Sequence, residues 1–224
     1  MHLGERPFDC AQGTPTRQPE LMVVGQMTTA LRLHTEGRVH AVGVRFTPTG
    51  ARAWFGLPLH ELTDTIECIE NVRPVAARRL RSVLESDGTR DVASLERALR
   101  ETFVTAARPT AVERAVKVTL ARAGQVSIDR LAQVSGVGGR QLERQYLDAV
   151  GLSPKTFART VRFQRALQGL RRGNSAASVA TACGFADQSH LAREFRRFAG
   201  TAAREVNLSH VVFVQDGDGM PVGD

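Results

Sequence analysis

No run of 18 or more apolar residues interrupts the 224-residue sequence, so no segment of it reads as a membrane-spanning helix. Residues 1–19 are polar and broken by proline and glycine, with no apolar signal segment, which makes the cytoplasm the expected location. Cysteine is scarce. Cys10, Cys68 and Cys183 are odd in number, far apart and without C-x-x-C spacing, which argues against both a disulfide framework and a zinc site. P-loop, G-x-S-x-G, H-E-x-x-H and dinucleotide-binding fingerprints are all missing, so neither an enzyme nor a bound cofactor is expected. His34 and His40 come close in sequence but lack a Cys, Asp or Glu ligand set, and no metal is expected there.

What is present is enough apolar material, 42% of residues, for one or two real cores. Charge is unevenly spread: residues 1–110 hold 14 basic and 13 acidic side chains, residues 111–207 hold 16 and 7, and residues 208–224 hold none and 3. A basic segment beside a near-neutral one fits a polyanion-binding module attached to a partner domain.

Periodicity places the elements. Leu31 and Leu33, then Val42, Val44 and Phe46, alternate with polar or small residues about Glu36-Gly37, which predicts a β-hairpin. Residues 50–56 suit a short helical turn. Helices are expected at 75–85 and 92–106, where Leu95, Leu99 and Phe103 recur every four residues. Arg108-Pro109-Thr110 ends the second of these, because proline pushes its predecessor out of helical geometry. The expected organisation is therefore a flexible N-terminus at 1–20, a small α+β region at 21–108, an all-α domain at 111–206 and a tail at 207–224. Overall the chain is α+β and mainly α.

Beyond Pro109 nearly everything reads helical. One helix spans 111–123; Ser127 caps the next, which runs to Ser135-Gly136; another begins near Gly138. Ser153-Pro154 is a strong helix start, and that helix continues to about Arg172. Residues 175–182 and 187–198 form two more, separated by Cys183-Gly184-Phe185. A short helix, a tight glycine-containing turn and a second helix thus occur twice. Helix-turn-helix proteins place the second helix in the major groove. The outward positions there are Arg140, Glu143 and Arg144 in the first unit and Gln188, Ser189, His190 and Arg193 in the second. These side-chain types read base edges: arginine forks onto guanine, glutamine onto adenine, and glutamate accepts from cytosine. Arg159, Arg162, Arg172, Arg196 and Arg197 are left for phosphate. The helix between the units, about 18 residues and roughly 27 Å long, suits readers set into successive major grooves about 34 Å apart.

GLSPKTFARTVRFQRAL and ACGFADQSHLAREFRRFAG, at 151–167 and 182–200, carry a family resemblance: the run 127–200 resembles the AraC/XylS DNA-binding domain throughout. That resemblance implies sequence-specific operator binding and control of transcription initiation, with RNA polymerase as a partner and base contacts from the seven residues named above. The sequence departs from the family in having Gly138 where serine is usual and Gly200-Thr201-Ala202 where a Thr-Pro pair follows the glycine. VGVRFTPTGARAWFG and the two helices after it resemble the tail of an AraC-type sensor region. Two or three strands fall short of the eight or so that close a barrel, so residues 21–108 read as a truncated sensor that names no effector and offers 75–106 for homodimer packing. Residues 211–214 suit a short strand.

Two rival readings remain. AraC-like domains also occur on DNA-repair methyltransferases, but Cys10 and Cys68 lack a flanking motif for alkyl transfer. A truncated regulator reduced to protein interaction or generic DNA binding would lack basic recognition faces, against which Arg140, Arg144 and Arg193 argue.

Overall fold

The computed structural model describes residues 8–9, 16–17, 19–30, 33–34, 42–87, 92–103 and 110–201. The chain separates into two compact units: Met1–Met27 with Leu31–Arg108 and Leu147–Gly151, and Thr28–Ala30 with Pro109–Tyr146 and Leu152–Asp224.

The first unit carries two small antiparallel sheets. Strands β1 (Phe8–Asp9), β2 (Thr16–Arg17), β3 (Met22–Val24), β4 (Leu33–His34) and β5 (Ile66–Cys68) pair in the orders β2-β1-β4 and β3-β5. Strands therefore occur inside 1–20, where only a flexible extension was expected. The hairpin expectation also changes. Leu33–His34 pairs with Phe8–Asp9, and residues 42–47 form no strand; the turn at Glu36-Gly37 and His40 lie outside the described residues. Alternation at 42–46 serves a different end: Phe46 packs against Trp54 and Phe55, ring centroids 5.4 and 5.6 Å away, while Val44 is exposed. Met22–Val24 and Ile66–Cys68 instead pair across a long stretch of chain, with Val23 opposite Glu67.

Helices α1 (Gly50–Phe55), α2 (Ile69–Val72), α3 (Pro74–Asp87) and α4 (Val92–Glu101) complete this unit, with a 3-10 turn at Leu59–Leu62. Trp54 is fully buried and its indole N–H donates to Thr102 Oγ1 at 2.8 Å. The apolar stripes of α3 and α4, including Leu80 and Leu99, are spent in this core, with Leu84 and Leu95 packed against it. Helix α4 ends at Glu101 instead of continuing to 106; residues 104–106 lie outside the described part.

From Pro109 on, the described residues are mainly helical: α5 (Ala111–Ala121), α6 (Ile128–Ser135), α7 (Gly139–Val150, whose last turn is counted with the first unit), α8 (Pro154–Arg171), α9 (Ala176–Ala182) and α10 (Gln188–Ala199). Local chemistry starts most of these helices. The Glu113 N–H donates to Thr110 Oγ1 while the Glu113 side chain accepts from the Thr110 N–H, a reciprocal capping box. Ser127, Ser153 and Ser175 each accept a backbone N–H at 3.2 Å, satisfying a donor that a helix start leaves free. Helix α8 is the spine. It buries Phe157, Val161, Phe163, Ala166 and Leu167, with α9 and α10 packing onto its C-terminal half around Phe163, Phe185, Phe195 and Phe198. Residues 211–214 lie outside the described chain.

Candidate nucleic-acid interface

Two helix-turn-helix units sit along α8. In the first, α6 stops at Gly136, whose φ of 69° is a conformation that a Cβ atom penalises. Helix α7 follows, with Leu142 and Tyr146 fully buried. At about 100° per residue this turns Arg140, Glu143 and Arg144 outward, and all three are exposed. Burial pushes the Tyr146 phenol up to about 12, so it stays a neutral part of the core at physiological pH.

In the second unit, α9 ends at Cys183 and the chain reverses through Gly184, again at φ 69°. Phe185 enters the core, and Asp187 caps α10 by accepting the His190 N–H at 2.6 Å. Leu191, Phe195 and Phe198 face inward. Gln188, Ser189 and Arg193 are exposed on the outer side.

His190 is placed differently from its expected companions. Its ring stands edge-on to Phe185, centroids 5.4 Å apart, and its Nδ1 accepts the Ala186 N–H at 3.3 Å. In the neutral ring that engagement leaves the proton on Nε2, so His190 offers a donor at its outer edge.

The arginines expected on phosphate divide into two groups. Arg172, Arg196 and Arg197 are exposed. Arg162 is half-buried, its guanidinium 5.3 Å from the Phe185 ring centre. Arg159 requires a correction: its Nε donates to Glu194 Oε2 at 3.1 Å and its second nitrogen to Glu194 Oε1, so the fork is occupied within the protein. The periodicity of α8 put Arg159 near its surface, but nothing local revealed a carboxylate 35 positions away. Glu194 itself was missed. Its signal was an acidic residue set among Arg193, Arg196 and Arg197 on the inner side of an otherwise basic helix. Gln125, also missed, donates from Nε2 to the Ala182 carbonyl at 3.2 Å and so ties the turn after α5 to the end of α9.

The described cysteines are ordinary thiols. Burial pushes the Cys183 thiol up, and Cys68, which donates to Glu70 Oε2 at 2.8 Å, is pushed up chiefly by that hydrogen bond. Both shifts oppose the thiolate that alkyl transfer needs. Cys10 lies outside the described residues.

Residues 131–208 match a family described as a helix-turn-helix domain. Over 68 residues the chain is 37% identical to the HTH-type transcriptional activator RhaS of Escherichia fergusonii. Residues 131–208 thus carry a helix-turn-helix domain of the AraC type. The RhaS match takes in 30% of this chain and 24% of RhaS, so the chain spans about a quarter of that relative. A solved transcriptional regulator from Chromobacterium violaceum, described among AraC-type DNA-binding domain-containing proteins, is 30% identical. That likeness covers 42% of this chain and 87% of that one, with a TM-score of 0.40. Residues 2–67 match a domain of unknown function, DUF6597. The likeness to AraC-type proteins thus rests on the second unit, which carries the matched helix-turn-helix domain. No described helix is long and apolar enough to cross a membrane.

Proposed function

We propose that this chain is a sequence-specific DNA-binding regulator that sets α7 and α10 into successive major grooves of one duplex. The observation that carries the reading is the pair of helix-turn-helix units strung on the 18-residue helix α8, each presenting exposed polar and basic side chains from its second helix. Arg140, Glu143 and Arg144 read one groove. Gln188, Ser189 and Arg193 read the other, with the Nε2 donor of His190 at the flank, where purine N7, guanine O6 or thymine O4 would accept it. Exposed Arg172, Arg196 and Arg197 hold phosphate, adding affinity that falls with salt and carries no sequence information.

Around this core stand the remaining assignments: a cytoplasmic protein without catalytic activity, with RNA polymerase as the partner through which it controls initiation. Residues 21–108 serve as a sensor region whose effector is unnamed. A homodimer through 75–106 would have to use the outer faces of α3 and α4, such as exposed Val75.

The test is fluorescence-anisotropy binding of the purified chain to its own upstream DNA and to a scrambled duplex across a salt series. A preference for the native duplex supports a sequence-specific regulator. Equal affinities with the same salt slope would reduce the protein to a generic basic DNA-binding or protein-interaction module.

A further inference from the structure

Glu194 is the one charged side chain among the described residues that is buried, with 6% of its surface exposed. It lies in the middle of α10 within a strongly basic helix, one position after Arg193. Both of its oxygens are taken by the fork of Arg159, whose side chain is 22% exposed. The Arg159 guanidinium also stands 5.9 Å from the ring centre of Phe198, which stacks on Phe163 of α8 with centroids 4.9 Å apart. Removing a carboxylate and a guanidinium from water is costly, and an apolar pair would serve stability as well or better. What a two-pronged ion pair adds is direction. Leu191, Phe195 and Phe198 hold α10 onto α8, but apolar contact is non-directional and tolerates rotation about the helix axis.

We infer that the Arg159–Glu194 pair is a positioning device that sets the rotation of α10, and so decides which base edges Gln188, Ser189 and Arg193 meet. At about 100° per residue, Ser189 and Arg196 lie roughly 140° and 160° around the helix from Glu194, and Arg193 lies about 100° from it, on the flank. A turn of α10 that lets Glu194 swing outward carries them off their targets and brings a carboxylate toward the DNA. Arg159 acts through Glu194, as a positioning residue, and is not a phosphate contact. This inference rests on the proposed sequence-specific reading.

The test uses the full chain, with its upstream duplex substituted one base pair at a time, across a salt series. Base pairs whose discrimination disappears in Arg193→Ala define the footprint of α10. Arg159→Lys keeps the charge and loses the fork, and Arg159→Gln loses both. Both variants should cut discrimination within the α10 footprint by about tenfold, leave discrimination in the α7 footprint intact and leave the salt slope unchanged. Glu194→Gln should lose the same discrimination while steepening the salt slope, because the freed Arg159 becomes available to phosphate. Wild-type discrimination in Arg159→Lys, or a salt slope reduced by about one in Arg159→Gln with discrimination kept at every position, would overturn the inference alone and return Arg159 to the phosphate backbone. A wild-type chain with no base preference would overturn the functional reading and this inference together. Should Arg159→Gln fail to give a wild-type circular dichroism spectrum, Arg159→Lys carries the decision.

Discussion

In the proposed function, single side chains on α7 and α10 divide the work of binding DNA. Arg193 is exposed on the outer face of α10; its replacement by alanine should lower affinity for the preferred duplex by about 1–3 kcal/mol and relax preference at one base pair. Unchanged discrimination in an anisotropy titration would remove α10 from base reading. Arg172, exposed just past α8, should behave differently: Arg172→Ala weakens binding to native and scrambled duplexes alike and lowers the salt slope by about one. Tyr146 offers a pH test, being the one tyrosine in the chain. Its folded-state value of about 12 lies above the ordinary 10, so burial favours the protonated phenol. The stability linked to that proton is complete below about pH 10 and is lost as pH rises toward 12, an effect on the order of 2 kcal/mol. Absorbance of the phenolate should titrate near 12 in the folded chain and near 10 in urea, and Tyr146→Phe should flatten this part of the stability profile.

Element ends were the most legible feature, because caps and turns are local. Thr110, Ser127, Ser153, Ser175 and Asp187 precede their helices in sequence and accept backbone N–H groups at their starts. Asp187→Ala should cost about 0.5–2 kcal/mol, read as a lower urea midpoint, and should fray the first turn of α10, where Gln188 and Ser189 sit. Gly136 and Gly184 share a left-handed conformation but differ in surroundings. A Cβ at Gly136 meets nothing within 4 Å, so Gly136→Ala should cost only the backbone term of about 1–2 kcal/mol. A Cβ at Gly184 would stand 2.5 Å from Gln125 Oε1, so Gly184→Ala must also displace that side chain and loosen its bond to the Ala182 carbonyl. Equal urea midpoints for the two variants would contradict this difference. The misread elements were strands. Alternation at 42–46 resembles a half-buried strand, yet pairing depends on a partner elsewhere in the chain, and Phe46 found an aromatic cluster instead.

For the whole molecule, charge asymmetry carries the strongest consequence. With 16 basic and 7 acidic side chains in residues 111–207, against 14 and 13 in residues 1–110, binding to any duplex should weaken steeply with added salt. The three phosphate contacts proposed at Arg172, Arg196 and Arg197 would give a log–log slope of about −2.7 and lose roughly fortyfold between 50 and 200 mM, and a flat salt series would contradict assignment of the basic unit to DNA. The near-neutral unit spends its apolar helix stripes on its own core, around Trp54, Leu80 and Leu99.

The sequence by itself determined the helices of the basic unit, the helix starts at Ser127 and Ser153, the two glycine turns and the family resemblance. Each depends on residues within a few positions of one another or on a motif read in order. Only the tertiary structure decided that Arg159 faces Glu194, that His190 turns its Nδ1 to Ala186, and that Met22–Val24 pairs with Ile66–Cys68. The strand pair and the ion pair join positions far apart in the chain. The arginine was one of many along α8 and α10, and which of them met a carboxylate depended on how the two helices packed. His190 shows the limit even at short range: its partner is four residues away, but the packing of Phe185 into the core brought the ring back over its own first turn.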